Sequence, residues 1–183
     1  LADLIELRRN GAAQAVMRAR NDGATVIGIC GGYQMMGTEV TDPDGVEGSV
    51  ERMPGLGLLP LTTVMGKEKT TVQTTFTFNG SECRGYEIHM GVTTDKGGTP
   101  HRSFSAGGNC WGTYIHGALD NAPVIEHLLA PFGQREDSRR KAGSMTVEEY
   151  NNQQYDKLAE AVRRNIDMDN LYGILSGRRQ GDR

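Results

Sequence analysis

Thr25-Val26-Ile27-Gly28-Ile29 is a nearly continuous β-branched run, and it stops at Cys30-Gly31-Gly32. β-branched side chains favour extended backbone, and a run with so little polar alternation fits a strand covered on both faces, as the central parallel strands of α/β proteins are. The residues that follow, Tyr33-Gln34-Met35-Met36 between Gly31-Gly32 and Gly37, can form a short helix that Gly37 closes. Cys30 is therefore expected at a strand-to-helix corner, where a side chain projects from the strand end towards the free N–H groups of the helix. A turn this tight calls for small neighbours, which Gly28, Gly31 and Gly32 supply.

The surroundings continue the alternation. Over residues 2–20, Leu4, Ile5, Leu7, Ala12, Ala15, Val16 and Ala19 recur at helical spacing, with Gly11 dividing two short helices that Asn21-Asp22-Gly23 ends. Residues 41–54, with Asp42-Pro43-Asp44-Gly45 inside, read as an exposed loop. Residues 56–65, 70–78, 84–90 and 109–115 read as successive strands. Two helices follow, one over 122–132 and one whose face carries Val147, Tyr150, Gln154, Leu158, Ala161 and Val162, with Thr146 and Glu149 at capping-box spacing. This order describes one α/β domain over residues 1–176 and a short tail over 177–183.

Several classes of function are disfavoured. A formal net charge of -3, with Arg178-Arg179 and Arg183 the clearest basic concentration near an end and read as a solvated tail, gives no electrostatic reason to expect nucleic-acid binding. No run of roughly 18 apolar residues is present to span a bilayer. Three cysteines, an odd number, without a signal pattern fit a reducing cytoplasm better than a secreted disulfide framework. The chain opens on Leu1 already in helical pattern, and is read as a fragment.

The corner cysteine invites a chemical reading. A thiol attacks as its thiolate, and a free cysteine, with pKa near 8.5, is only slightly ionised at neutral pH. Lowering that pKa to roughly 6.5 takes about 2.7 kcal/mol, whereas a helix N-terminus typically supplies about 0.3–1 kcal/mol. A charged partner such as an imidazolium is required. Of the four histidines, His127 lies in an expected helix and His101 in a Gly- and Pro-containing loop, whereas His89 and His116 each end an expected strand. Residue pattern alone does not choose between those two, nor does it exclude a merely buried Cys30. A zinc site from the equal spacings Cys83 to His89 and Cys110 to His116 is disfavoured. Six residues along a strand separate side chains by roughly 20 Å, so no metal is expected.

Residues 28–37, Gly-Ile-Cys-Gly-Gly-Tyr-Gln-Met-Met-Gly, resemble the nucleophile motif of class I (triad) glutamine amidotransferases, in the variant found in the cobyric acid synthase family. Gly55-Leu56-Gly57-Leu58-Leu59-Pro60, Gly85-Tyr86-Glu87-Ile88-His89-Met90-Gly91 and Gly112-Thr113-Tyr114-Ile115-His116-Gly117 resemble further motifs of that family in the same order. So does the ending around Tyr155-Asp156-Lys157-Leu158-Ala159 and Asp167-Met168-Asp169. The resemblance implies a flavodoxin-like α/β domain with a mixed, mainly parallel central sheet, here lacking its first strands. It implies Cys30 as nucleophile, His116 as base, the Gly31 N–H as oxyanion donor, and Gln34, His89, Met90 and Gly91 about the glutamine. Most triad members carry a glutamate two residues after the histidine, where this chain has Ala118. The orienting group is left open.

The resemblance further implies that ammonia released from glutamine serves an N-terminal synthetase domain using ATP and Mg to amidate corrin carboxylates in cobalamin biosynthesis. That domain and the loop giving a second oxyanion donor are not in these residues, so the fragment alone is expected to be a poor glutaminase. No G-x-x-x-x-G-K-[ST] phosphate loop occurs here, and no cofactor is expected in the chain itself. Two alternatives are an amidotransferase subunit acting on peptidoglycan lipid precursors and a non-catalytic glutamine-binding module.

Overall fold

The computed structural model describes residues 1–101, 104–133, 145 and 147–177. The chain divides into two compact units, Leu1–Pro131 and Phe132–Arg183. In the first unit, α1 (Ala2–Arg9) and α2 (Ala12–Asn21) are separated at Gly11, whose φ of 82° suits glycine and breaks the helix where the pattern placed the break. There follow β1 (Val26–Ile29), α3 (Gly31–Met36), β2 (Glu39–Thr41), β3 (Arg52–Pro54), β4 (Thr62–Phe78), β5 (Ser81–Thr94), β6 (Phe104–Gly107), β7 (Cys110–Thr113), β8 (Ile115–His116) and α4 (Ala122–Leu129).

The strands form two sheets, ordered β1-β7-β6 and β3-β2-β4-β5-β8. The expected class, α/β with parallel and antiparallel strands, is what forms. Parallel pairing joins β1 to β7 and β2 to β4, while β2–β3, β4–β5, β5–β8 and β6–β7 are antiparallel, a more antiparallel balance than the sequence suggested. The reason is local: Asn79-Gly80, both at positive φ, joins β4 to β5 in a tight turn, and so short a connection admits only antiparallel pairing. β1 is parallel as expected but not central. Among the described residues it borders only β7, and Ile27 is 39% exposed. A β-branched run reports extended backbone and apolar character, not the number of neighbouring strands.

Other boundaries moved for reasons visible in the packing. The expected strands over 56–65 and 70–78 become one long β4 whose pairing with β5 shifts between Val64 and Lys69. Residues 55–59 are not a strand at all. Their N–H groups close the C-terminal end of α3, with Leu56 N–H on Met35 O, Gly57 N–H on Gly37 O, and the Leu58 and Leu59 N–H groups on Met36 O, at 2.8–2.9 Å. A short helix leaves its last carbonyls without internal partners, and this loop supplies them. Leu58, Leu59 and Leu61 then enter a core with Tyr33, Met36, Cys110 and Tyr114. Cys83 lies in a different cluster, with Val124 and Leu128.

The presumed loop over 41–54 ends in β3, which pairs with β2 just before it, and Asp42 within it is fully buried. Its carboxylate accepts the Glu47 and Val46 N–H groups at 2.7 and 2.8 Å, and these bonds, the Glu47 one foremost, hold it below the usual carboxylate range.

In the second unit, α5 (Val147–Asn165) follows the expected helical face, and α6 (Met168–Leu175) is capped by Asp167, whose carboxylate accepts the Asn170 N–H at 3.0 Å. Thr146 of the supposed capping box and the basic tail over 178–183 lie outside the described residues. No described helix is long and apolar enough to cross a membrane.

Candidate active site

Cys30 occupies the corner between β1 and α3 with φ 54° and ψ -116°. A non-glycine residue there is sterically strained, and such strain is commonly held at sites that must present a side chain. The surrounding backbone holds it: the Cys30 N–H donates to Thr113 O on β7 at 2.9 Å, and the Cys30 carbonyl accepts the Gln34 N–H at 3.1 Å to start α3.

The glycines beside it do different work. A methyl at Gly28 would lie 2.8 Å from both the carbonyl carbon and the oxygen of Gly32 and would collide with the Met36 sulfur, so Gly28 is what lets α3 pack onto β1. At Gly31 and Gly32 a methyl would meet nothing within 4 Å, so these two are not required by close packing as the sequence argument supposed. They leave open space around the helix N-terminus instead. Gly28→Ala is expected to lower stability by about 1–3 kcal/mol, as overpacking of a core does. Gly32→Ala is expected to leave stability nearly unchanged, and urea denaturation of the two variants checks the contrast.

Facing the corner is β5, and the stretch Gly85-Tyr86-Glu87-Ile88-His89-Met90-Gly91 has a structural task at every position. A methyl on Gly85 would sit 2.5 Å from the His116 carbonyl oxygen, so glycine there lets β8 pair with β5 in the register Tyr86↔His116. The Tyr86 ring stacks on the His116 imidazole, centroids 5.0 Å apart and planes 8° from parallel. The Ile88 carbonyl lies 3.5 Å from the Cys30 thiol and accepts its proton in a hydrogen bond. Glu87 is buried, its carboxylate 3.3 Å from His89 Nε2 and accepting the Thr74 hydroxyl at 3.2 Å. His89 stacks on Tyr114 at 3.7 Å. The Met90 carbonyl accepts the Gln34 side-chain amide at 2.8 Å. Gly91, at φ 84°, stands opposite the register shift in β4, where a methyl would press on Val64 O at 2.9 Å.

Cys30 and Gln34 thus meet β5 at Ile88 and Met90, beside His89 and Gly91, while His116 lies on β8 opposite Tyr86. The structure does not join all of them directly. The Cys30 thiol is bonded to Ile88 O rather than to His116, and among the described residues His116 Nε2 is buried with no hydrogen-bond partner, as is His89 Nδ1. Catalytic hydrogen bonds in unliganded sites are often long and tighten only around substrate. Gln34 is mostly buried, and its amide nitrogen is already committed to Met90 O and, at 3.1 Å, to the Tyr114 hydroxyl. Burial pushes the Cys30 thiol above its ordinary value, an effect the Gly31 N–H opposes and the Glu47 carboxylate reinforces. A thiol shifted in this direction would need a base to act as a nucleophile. Tyr114, whose hydroxyl joins Gln34 and Thr93, is raised chiefly by burial as well.

Tyr86 and Tyr114 are the site residues that sequence reasoning passed over. Each sits inside a quoted motif, but their role comes from ring contacts across strands that no local pattern displays. Cys83 and Cys110 are free and fully buried, and among the described residues no cluster of three or more His, Cys, Asp or Glu side chains could hold a metal ion.

A cysteine held at positive φ between a parallel strand and a helix, with an imidazole on β8 of the other sheet, defines an α/β domain with a strand-to-helix elbow. Residues 1–124 match the CobB/CobQ-like glutamine amidotransferase domain, and the chain belongs to that family. It is similar to cobyric acid synthase from Bacteroides fragilis, 48% identical over 189 residues that take in 96% of this chain and 37% of that protein. Cobyric acid synthase from Phocaeicola vulgatus is 48% identical over 97% of the chain and 38% of its own length. The same enzyme from Syntrophobacter fumaroxidans is 38% identical over 96% of the chain and 39% of its own length. The chain therefore spans a little over a third of these curated relatives.

Proposed function

We propose that this chain hydrolyses glutamine to glutamate and ammonia, with Cys30 as nucleophile and His116 as general base and acid. The observation that carries this reading is the strained Cys30 corner set against the same strand, β5, on which His116 is registered, with the buried His116 Nε2 unpartnered. Cys30 meets β5 at Ile88 and His116 meets it at Tyr86, positions about 7 Å apart along a strand.

His116 takes the Cys30 proton, and the sulfur adds to the carboxamide carbon of glutamine. The oxygen gains the negative charge and is met by the Gly31 N–H at the start of α3. Collapse breaks the C–N bond, His116 delivers its proton to the departing nitrogen, and ammonia leaves a γ-glutamyl thioester on Cys30. Water, deprotonated by His116, adds to the thioester, and glutamate departs as the thiol is restored. Gln34, its amide nitrogen engaged, offers its oxygen to the substrate, while His89, Met90 and Gly91 border the glutamine from β5.

In this reading the ammonia is used to amidate corrin carboxylates in cobalamin biosynthesis, in the cytoplasm; the support is that the relatives are named cobyric acid synthase. ATP and Mg serve that second reaction, in a synthetase domain, and take no part in the thiol chemistry. The test is to quench the full-length protein during glutamine turnover and map the adduct by peptide mass spectrometry. A γ-glutamyl group on the Cys30 peptide is expected, and turnover with that peptide never modified would defeat the assignment.

A further inference from the structure

We infer that Tyr86 is the positioning residue for His116, doing by ring stacking what a carboxylate does in most catalytic triads. The inference rests on the reading of His116 as the base. Among the described residues His89 and His101 each have a carboxylate within 3.4 Å, Glu87 and Asp95 respectively. No such partner is paired with His116 among the described residues. Position 118, where an orienting glutamate would stand, is a fully buried alanine whose methyl side chain cannot accept a hydrogen bond.

What His116 has instead is a nearly parallel aromatic face, 5.0 Å away and 8° from coplanar. The arrangement is built in by the strands. Tyr86 and His116 are direct cross-strand partners, the close approach of β8 depends on Gly85, and His116 is followed by Gly117 at φ 73°, where the chain turns away. Cross-strand aromatic pairs of this kind hold each other's side-chain dihedral angles. A stacked ring also favours the imidazolium formed during the reaction, since its quadrupole attracts positive charge. The stack thus fixes the imidazole plane and leaves Nε2 free for the thiol and the leaving nitrogen. Tyr86 is 44% exposed, so it contributes little to the core, and its loss need not unfold the protein.

The test follows inactivation of the full-length protein by the diazoketone analogue of glutamine, separating the limiting rate from the half-saturating concentration. Tyr86→Phe keeps the ring and should stay within about twofold of the parent protein in both constants. Tyr86→Leu keeps bulk but removes the stack, and its limiting rate should fall on the order of tenfold, with half-saturation little changed, because Tyr86 does not touch glutamine. Rescue by phenylalanine is what a merely structural role for the hydroxyl would not give. The buried Cys83 and Cys110 staying unlabelled in Tyr86→Leu reports an intact fold. Parent-like inactivation of Tyr86→Leu, or equal damage from both substitutions, overturns the stacking role. Parent-like inactivation of His116→Ala would instead overturn the base assignment beneath it.

Discussion

Cys30→Ser in the full-length protein is expected to reduce glutamine-dependent amidation by on the order of 10³-fold or more, while amidation from added ammonia stays near its original rate. The substitution is nearly isosteric at a half-buried position whose strained backbone is set by neighbouring strands, so the fold should survive. The chemistry should not. Burial already pushes the thiol above its ordinary value, and a hydroxyl, far less acidic, would demand much more from the same base. Parallel assays with glutamine and with ammonium chloride check this. Loss of both activities together would mean that Cys30 serves the fold or the synthetase step.

His116→Ala is expected to lower kcat for glutamine hydrolysis by about 10²–10⁴-fold, the usual worth of a positioned general acid–base group. His116 stands at the end of a strand of two residues, with its neighbour Ile115 supplying the buried packing, so truncation should spare the core. KM should change little, because the imidazole acts on protons rather than holding the substrate. The comparison with His89→Ala is informative. His89 is pinned between Glu87 and the Tyr114 ring and borders the proposed glutamine position, so its loss should raise KM and reduce stability. A collapse of kcat in His89→Ala with normal turnover in His116→Ala would exchange their roles. Steady-state kinetics on the two variants decides it.

Much of the corner was legible because it is local. A β-branched run, glycines on either side of one cysteine and a short apolar helix closed by Gly37 state a strand, a turn and a helix within residues 25–37, and β1 and α3 form there. The break at Gly11 and the helix over α5 were legible for the same reason. Less so was the meaning of residues 55–59. Their leucines suggested a strand, whereas their N–H groups finish α3, a task set by a helix end some twenty residues earlier in the chain. Asp42 was read as part of an exposed loop because Pro43 and Gly45 beside it signal a turn; two backbone N–H groups from the following turn make its burial possible.

By itself the sequence determined the reactive corner: residue types that favour strand, turn and helix act over a few positions, and Cys30 could sit only where they meet. Which partners surround it was decided by tertiary structure. His89 and His116 look alike in sequence, each at a strand end, and only the pairing of β5 with β8 sets them apart. One is tied to Glu87, while the other lies against Tyr86 with no carboxylate beside it among the described residues. That distinction depends on contacts between strands some thirty residues apart, made possible by the missing side chain of Gly85, and no local preference encodes it.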